Sequence, residues 1–517
     1  MRFLALPRGD WLLVVGGAVL LCAAYPPFHL LLPSFICLIP AVWLLADGLE
    51  DDRPVRRHLV QGFWFGLFAN GLVLYWTVVA LWHFTSLAAL GYLATVVILA
   101  LYSGTVFALS GWVTRRTGLG LLVTFPVSWT VAEWAIGHQG DVAFPWLGLG
   151  TSLTGFPTLV QVADVIGARG VTYLLVLANT ALALAWRRRE DRRSAVTLAS
   201  AVVVGTALVL GYGVVRERSL TLRPVATVAL LQPNVGWVDK WEPGQGERIV
   251  TSALELADRA IQTPRPDLLV WPEAAIPGYF FQHPTWETAI GDLSRSTGVP
   301  QLVGGLDIAF EPRQDPAAEA RATYEHFNAA FLFDSLGRYP SQPVYRKRYL
   351  VPITERVPFV APQWFDLRFF GGFGRGTEHP VYEIAAGTFG VFICYESAFE
   401  DLSRIYRARG ANFLVNVTND AWFGRTAGPY QHAAHLVMRA IENRVGIARA
   451  ANSGISEFVD PLGREHRRTP LYEKTFLVGE VLTTDSVPLY VRWGDWVGTG
   501  TLIVGAFLVL FTVSRRR

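Results

Sequence analysis

Charge is what this sequence has least of. Only 17% of its 517 residues are Asp, Glu, Lys or Arg, against about a quarter in an ordinary globular domain, while 51% are hydrophobic. A soluble protein of this length needs more charge to cover its surface, so the apolar excess belongs in membrane helices, and the mean hydropathy of +0.32 agrees. Disorder is excluded as well, because a chain this apolar and aromatic buries enough surface to fold. A net charge of +3 gives no reason to expect a nucleic-acid partner. Lysine is nearly absent: Lys240, Lys347 and Lys474 stand against 42 arginines, so each marks a place where a guanidinium was not used. Cysteine is equally scarce, with Cys22, Cys37 and Cys394 only. Internal repeats and low-complexity tracts are missing.

A membrane span needs about 20 mainly apolar residues. The first 215 residues supply seven such stretches, near 11–24, 29–49, 59–82, 87–113, 119–136, 159–186 and 195–215, and an eighth lies near 496–513. Arginines cluster at alternate joints: Arg2 and Arg8 before the first stretch, Arg53, Arg56 and Arg57 after the second, Arg115 and Arg116 after the fourth, Arg187 to Arg189 with Arg192 and Arg193 after the sixth, and Arg515 to Arg517 at the end. The loops 82–86 and 137–157 carry no Lys or Arg. Because Lys and Arg beside spans favour the cytoplasm, both termini are expected inside and the segment between the seventh and eighth spans outside. Arg2 and Arg8 before an apolar run resemble a secretory signal, but another span follows at once, so an uncleaved signal anchor is expected. Leu21 stands where a lipidated Cys22 would need a small residue, and Cys22 and Cys37 are read as packing residues inside spans.

Residues 216–490 have ordinary polarity and the length of one α/β domain. The expected division is therefore a seven-helix membrane domain at 1–215, a catalytic domain at 216–490, and a last helix with its tail at 491–517. Apolar runs near 225–231, 267–271, 300–306, 328–334, 381–393, 411–417, 447–459 and 475–481 read as strands, the fifth a hairpin turning at Ala386-Gly387. Helical patterns fill 246–262, 284–297, 399–409 and 430–445. Helices interleaved with both single strands and hairpins predict a mixed sheet or two sheets in layers.

Three short stretches of this block carry chemistry. Leu268 to Trp271 is an apolar strand that ends, past Pro272, in Glu273; Tyr345-Arg346-Lys347-Arg348-Tyr349-Leu350-Val351-Pro352 is followed by Glu355; and Gly390 to Ile393 delivers Cys394-Tyr395-Glu396 at a strand's C-terminal end, where open α/β sheets place reactive groups. Brought together, they form a coherent acyl-transfer site. A Cys394 thiolate would attack acyl carbon, Glu273 would exchange protons with the thiol, leaving group and incoming amine, and Lys347 with the Tyr395 backbone N–H would stabilise the oxyanion. A compact ammonium suits that task better than a planar guanidinium. The bland readings are a buried inert thiol, a turn carboxylate and a solvated basic patch, but Cys394 is the sole cysteine of a segment expected to face an oxidising compartment, so no disulfide accounts for it.

The order Glu, Lys, Cys in these local sequences resembles the carbon–nitrogen hydrolase (nitrilase) superfamily. The whole chain, with spans before and after such a block, resembles that superfamily's bacterial lipoprotein-acylating branch. The resemblance rests on Trp271-Pro272-Glu273, Leu350-Val351-Pro352 with Glu355, Cys394-Tyr395-Glu396, Asn419-Asp420-Ala421-Trp422-Phe423-Gly424, Gly428-Pro429 and Gln431-His432. It implies an αββα sandwich, a Glu273-Lys347-Cys394 triad, supporting roles for Glu355 and Glu396, and a substrate-site role for Trp241 beside Lys240. In the membrane part, Phe144-Pro145-Trp146-Leu147-Gly148 fits the family's outer-face motif and implicates Trp146; the family often has an arginine shortly before it, and no role is carried over to His138 and Gln139 there. The implied partners are a membrane phospholipid as acyl donor, a diacylglyceryl apolipoprotein as acceptor, and the bilayer of a bacterial inner membrane. No cofactor or metal is implied.

The stretch 359–376 combines Trp364, Phe365, Phe369, Phe370 and Phe373 with Gly371, Gly372, Gly374 and Gly376, the composition of a lid or a membrane-dipping arm. Its glycines lack the flanking strand and Lys-Ser/Thr of a nucleotide loop. His432 and His435 sit one helical turn apart without a further metal-ligand cluster, and Glu133 is an intramembrane carboxylate or the outer end of its helix. Two rival readings are a membrane-tethered amidase that passes its acyl group to water, which eight spans disfavour, and a transporter or lipid-binding protein, for which no paired intramembrane charges speak.

Overall fold

The computed structural model describes residues 6–82, 88–262, 264–310, 324–359 and 372–515. The chain begins as helices α1 (Arg8–Ala24), α2 (Leu31–Ile36), α3 (Ile39–Glu50), α4 (Val55–Val73), α5 (Trp76–Trp82) and α6 (Ala88–Thr117). It continues through α7 (Leu121–Gly137), α8 (Pro157–Val160), α9 (Ala163–Arg187) and α10 (Arg192–Ser219). By length and composition, five helical runs of the described residues can cross a membrane: Leu31–Glu50, Ala88–Thr117, Ala163–Arg187, Arg192–Ser219 and, near the C-terminus, Trp496–Ser514. Each of the eight apolar stretches is helical in its described residues, yet several depart from a straight span: the second is divided between α2 and α3, and α9 is kinked at Gly167. Helices α1 and α7 have 17 residues each, about 25 Å at 1.5 Å per residue against a hydrocarbon core of about 30 Å. The third stretch is broken between α4 and α5, which meet at 61°.

Helix α10 shows what surrounds this bundle. Of its 28 residues only Gly213 is buried, while Val196, Val203, Val204, Leu208 and Val215 are exposed. An apolar helix that turns its side chains outward requires an apolar solvent. Arginine contacts gather at one end of the bundle: Arg115 reaches the Arg53 carbonyl, Arg187 pairs with Asp47 and Glu50, and Arg515 donates to the Thr117 carbonyl at 3.3 Å.

The next block builds two six-stranded sheets. The first holds β1 (Arg223–Gln232), β2 (Leu268–Val270), β3 (Gln301–Phe310), β4 (Tyr324–Phe333) and β5 (Tyr345–Arg346), and the second β6 (Val381–Ile384), β7 (Gly387–Ile393), β8 (Phe413–Thr418), β9 (Gly446–Ala451), β10 (Glu457–Val459) and β11 (Glu465–His466). The last strand, β12 (Thr475–Thr483), returns to the first sheet, giving the orders β12-β1-β2-β3-β4-β5 and β11-β10-β9-β8-β7-β6. Strand periodicity sorts the side chains into layers. Val228 and Leu230 point between the sheets toward Val391, Ile393 and Val415, while Ala229 and Leu231 face α12 (Gly246–Ile261) and α13 (Pro284–Thr297). On the far side lie α14 (Glu400–Ala408) and α15 (Gly428–Asn443), so the order is helix, sheet, sheet, helix. Short α11 (Trp237–Trp241) and α16 (Leu489–Trp493) flank the sandwich, and α17 (Trp496–Ser514) rejoins the bundle against α7. The expected layered sheets are therefore present.

Sandwich and bundle are tied by polar bonds in an apolar seam. Gln431 of α15 accepts the indole N–H of Trp76 and of Trp146 on one oxygen, both at 3.0 Å, and donates to the carbonyl of Val73 at 3.1 Å. That carbonyl is one of those set free where α4 breaks, so the bend and the docking are one feature. Gln161 and Asp164 hold the buried Arg444 side chain, and Arg169 pairs with Glu400 and Asp495. Replacing Gln431 with Leu leaves two buried indole donors unpaired, each costing about 1–3 kcal/mol. Thermal unfolding of the detergent-solubilised Gln431→Leu protein should begin several degrees earlier than in the wild type, and an unchanged transition would refute the role given to this side chain.

Candidate active site

Each catalytic candidate stands at the end of a strand, as the sequence foretold for Glu273 and Cys394. Past β2, the chain turns at Pro272 and sets Glu273 over β3. Only glycine fits beneath: a Cβ on Gly304 would lie 2.2 Å from the Pro272 carbonyl and 2.9 Å from the Glu273 Cα. Lys347 follows β5 directly, and its N–H donates to the Asn328 carbonyl of β4 at 2.8 Å. Cys394 follows β7 and opens the 3-10 turn Cys394–Ala398 with φ of 52°. A left-handed non-glycine residue costs about 1–3 kcal/mol and persists only where its surroundings fix it.

Glu273, Lys347 and Cys394 all line one cavity of about 1040 Å³, with Glu355, Asn419 and Trp241. Lys347 Nζ lies 3.2 Å from Glu273 Oε1 and 2.8 Å from Glu355 Oε1. Asn328 Nδ2 donates to the same two oxygens at 2.6 and 3.1 Å, and the Asn419 N–H donates to Glu273 Oε2 at 2.8 Å. Burial opposes the Lys347 charge, but Glu273 and Glu355 more than offset it and hold the ammonium well above its ordinary range. Burial, then the charge of Glu273, pushes the Cys394 thiol well above its ordinary value against the pull of Lys347. The resting group is therefore a thiol and not a thiolate.

Glu396 braces this arrangement. Its Oε2 accepts the Tyr345 hydroxyl at 2.7 Å and the Ile393 N–H at 2.6 Å, and its Oε1 accepts the N–H groups of Arg348 at 2.6 Å and Tyr349 at 3.1 Å. It thus ties the segment bearing Lys347 to the strand bearing Cys394, although burial pushes its carboxyl up to about 7. Tyr395 leaves the sandwich altogether: its hydroxyl donates to the Ala143 carbonyl at 2.8 Å, and its ring stacks on Trp146 at 6.0 Å. Trp146 is buried, whereas Trp241 stands 43% exposed at the cavity rim. Lys240 beside it is buried and donates to the Glu273 carbonyl at 3.2 Å. Cys394 also borders a second, smaller cavity of about 70 Å³ walled by Trp76, Phe144, Trp146 and Phe423.

Several residues escaped the sequence reading. Asn328 lies in an apolar strand whose register no local pattern reveals. Asp420 and His432 belong to singled-out motifs, but their meeting behind Cys394, where the thiol, carboxylate and imidazole lie within 4.8 Å of one another, depends on β8 and α15 converging. His432 is turned to other partners than His435: its Nδ1 meets Asp420 and its Nε2 the Cys394 carbonyl, both at 2.9 Å. Glu133 accepts from the Trp129 indole and the Leu149 N–H, both at 2.9 Å, and so fixes the loop after Trp146. Gln139 accepts the Tyr102 hydroxyl. Residues 360–371 of the expected lid lie outside the described residues; on either side of them, the Phe359 N–H and the Arg375 guanidinium both bond Asp141, at 3.0 and 2.5 Å.

A sandwich of two sheets that brings Glu273, Lys347 and Cys394, each just past a strand, to one cavity defines a carbon–nitrogen hydrolase domain, and the family model of that description matches residues 227–485. A second model, the apolipoprotein N-acyltransferase N-terminal domain, matches residues 17–181. The apolipoprotein N-acyltransferase of Geobacter metallireducens is 33% identical over 100% of this chain and 97% of its own, and that of Chlorobaculum tepidum 30% over 95% and 94%. Among solved structures, an amidase from Nesterenkonia sp. aligns at 18% identity with a TM-score of 0.36, covering 53% of this chain and 95% of its own. The chain belongs to the apolipoprotein N-acyltransferase family.

Two measurements probe the site. Because its pKa is raised, Cys394 stays protonated at neutral pH and its thiolate grows as pH rises. Direct alkylation of Cys394 by iodoacetamide, followed by peptide mapping, should keep accelerating past the usual thiol value of about 8.5; a plateau below that pH would mean a resting thiolate. In Glu396→Gln, an amide N–H₂ must face donors, so the melting temperature should fall with a loss of about 1–3 kcal/mol, and an unaltered melting curve would contradict the bracing role.

Proposed function

We propose that the protein transfers an acyl chain from a membrane phospholipid to the N-terminal α-amine of a diacylglyceryl-cysteine lipoprotein, through a thioester on Cys394. The observation that carries this reading is the position of Cys394 between two spaces. One is the large cavity holding Glu273 and Lys347, and the other is the apolar notch walled by Trp76, Phe144 and Trp146 of the bundle. A hydrolase of soluble amides has no use for the second.

In the first half-reaction Glu273 takes the thiol proton and the sulfur attacks the ester carbonyl. Lys347 Nζ and the Tyr395 N–H receive the oxyanion, with Glu355 keeping the ammonium in place. Collapse breaks the acyl C–O bond, and the leaving alkoxide regains the proton from Glu273 as a lysophospholipid. In the second, the neutral α-amine attacks the thioester, Glu273 removes its proton, and collapse to the amide returns the proton to the sulfur. Trp241 would contact substrate at the rim and Trp146 the acyl chain in the notch. Their aromatic walls limit water, which would otherwise hydrolyse the thioester. Holding donor and acceptor in one bilayer raises their effective concentration at the sulfur.

The same reading includes eight membrane spans, the division at 1–215, 216–490 and 491–517, cytoplasmic termini, and a periplasmic catalytic domain in a bacterial inner membrane. The gathering of Arg53, Arg115, Arg187 and Arg515 at the end opposite the sandwich supports that orientation. Intact mass spectrometry after incubation with phospholipid tests the class. The wild type should gain one acyl mass and Cys394→Ala none; an unmodified wild type would overturn the mechanism. Adding a diacylated lipopeptide should yield its triacylated form, whereas free fatty acid alone would favour the amidase reading. Glu273→Gln should slow acylation by about 10²–10⁴ and Lys347→Met by about 10²–10³.

A further inference from the structure

We propose that His432 is a positioning residue for acyl transfer, fixing the Cys394–Tyr395 peptide so that its N–H points at the developing oxyanion. The inference rests on the thioester reading above and assigns a task to a group that reading leaves unused. His432 Nε2 lies 2.9 Å from the Cys394 carbonyl oxygen. A peptide unit is planar, with its C=O and N–H directed oppositely. A bond that holds the Cys394 oxygen therefore sets the direction of the Tyr395 N–H on the other side of the same plane.

The imidazole is itself held from behind. Its Nδ1 meets Asp420 Oδ1 at 2.9 Å, and that carboxylate also accepts the Thr418 hydroxyl at 2.9 Å and the Arg449 guanidinium at 2.7 Å. Arg449 is anchored in turn on Asn416 Oδ1 at 2.6 Å and the Ile455 carbonyl at 3.0 Å. His432, Asp420 and Arg449 are at most 1% exposed. Trp146 and Phe423, with ring centres 5.3 and 5.9 Å from the imidazole, block its rotation. Such a rigid chain is what a residue at φ of 52° needs, since the backbone of Cys394 would relax if its carbonyl were free to turn. With Nε2 spent on the carbonyl, the ring is not directed at the sulfur as its base.

Full-length protein in phospholipid vesicles tests this with two substitutions. In His432→Gln the amide nitrogen reaches the place of Nε2 and can still donate to the Cys394 carbonyl; in His432→Asn it reaches only the place of Nδ1. Acyl-enzyme formation in a single turnover should fall about 10²-fold in the Asn variant and recover by about tenfold or more in the Gln variant. Alkylation of Cys394 by iodoacetamide, a displacement that builds no oxyanion, should change by less than roughly twofold in both. Equal losses of alkylation and acylation without rescue by Gln would overturn the proposal, because His432 would then serve the thiol itself or the fold. Undiminished acylation in the Asn variant would overturn it as well. If the Asn variant does not fold, Asp420→Asn, which loosens the ring without removing it, takes its place in the same comparison. A wild type that alkylates at Cys394 but forms no acyl adduct would instead defeat the thioester reading.

Discussion

The structure depends on a seam where polar bonds cross from sandwich to bundle in surroundings that offer them no water. Tyr395, the residue after Cys394, donates to the Ala143 carbonyl, and Gln431 gathers two indoles and a freed helix carbonyl. An unmet donor here would cost more than the bond contributes in water, so the seam acts as an all-or-none fit. The consequence is that the turn after Cys394 is held by the bundle as well as by the sandwich. That turn is braced on one side by Glu396 and on the other by the loop carrying Trp146, and Cys394 sits at the level where the two parts touch.

Electrostatics imposes the second constraint. A buried ammonium is costly unless paired and hydrogen-bonded. Lys347 meets that requirement with two carboxylates, and Asn328 bonds both of their shared oxygens. The same pairing sets the chemistry. Glu273 and Glu355 keep Lys347 charged, while burial and then the charge of Glu273 raise the Cys394 thiol, so the cysteine rests protonated beside carboxylates already in contact with the cation. A thiol held in reserve suits an enzyme that must not acylate or oxidise before its lipid arrives.

How much of this was readable depended on how local the cause was. Pro272 before Glu273 and the apolar run before Cys394 mark strand ends by sequence alone, whereas the short β5 before Lys347 carries no such local mark. The apolar stretches were legible because the period and length of a helix are local properties. The break after Val73 was not, since its stabilising partner is Gln431, more than three hundred residues onward. Nor was the chain from Arg449 through Asp420 to His432, whose members come from β9, the end of β8 and α15 and meet only when the second sheet closes. Glu396 was placed near the triad candidates by its neighbour Cys394, but its four donors come from two segments and give it a bracing task that proximity does not reveal.

The three lysines separate on the same physical grounds. Lys474 is exposed and donates to the Ser252 hydroxyl at 2.6 Å, a surface contact that any long cation could make. Lys240 and Lys347 are both buried beside Glu273, one on its carbonyl and the other on its carboxylate. A guanidinium spreads its donors over a plane and resists deprotonation, whereas an ammonium places one charge at one point and yields to burial. Burial brings Lys240 down to about 8, while two carboxylates hold Lys347 up. Around one general-base candidate, then, the protein keeps one firmly charged amine facing the cavity and one easily discharged amine behind it. That pair of environments requires lysine twice, and in a chain that otherwise uses arginine it accounts for where lysine was kept.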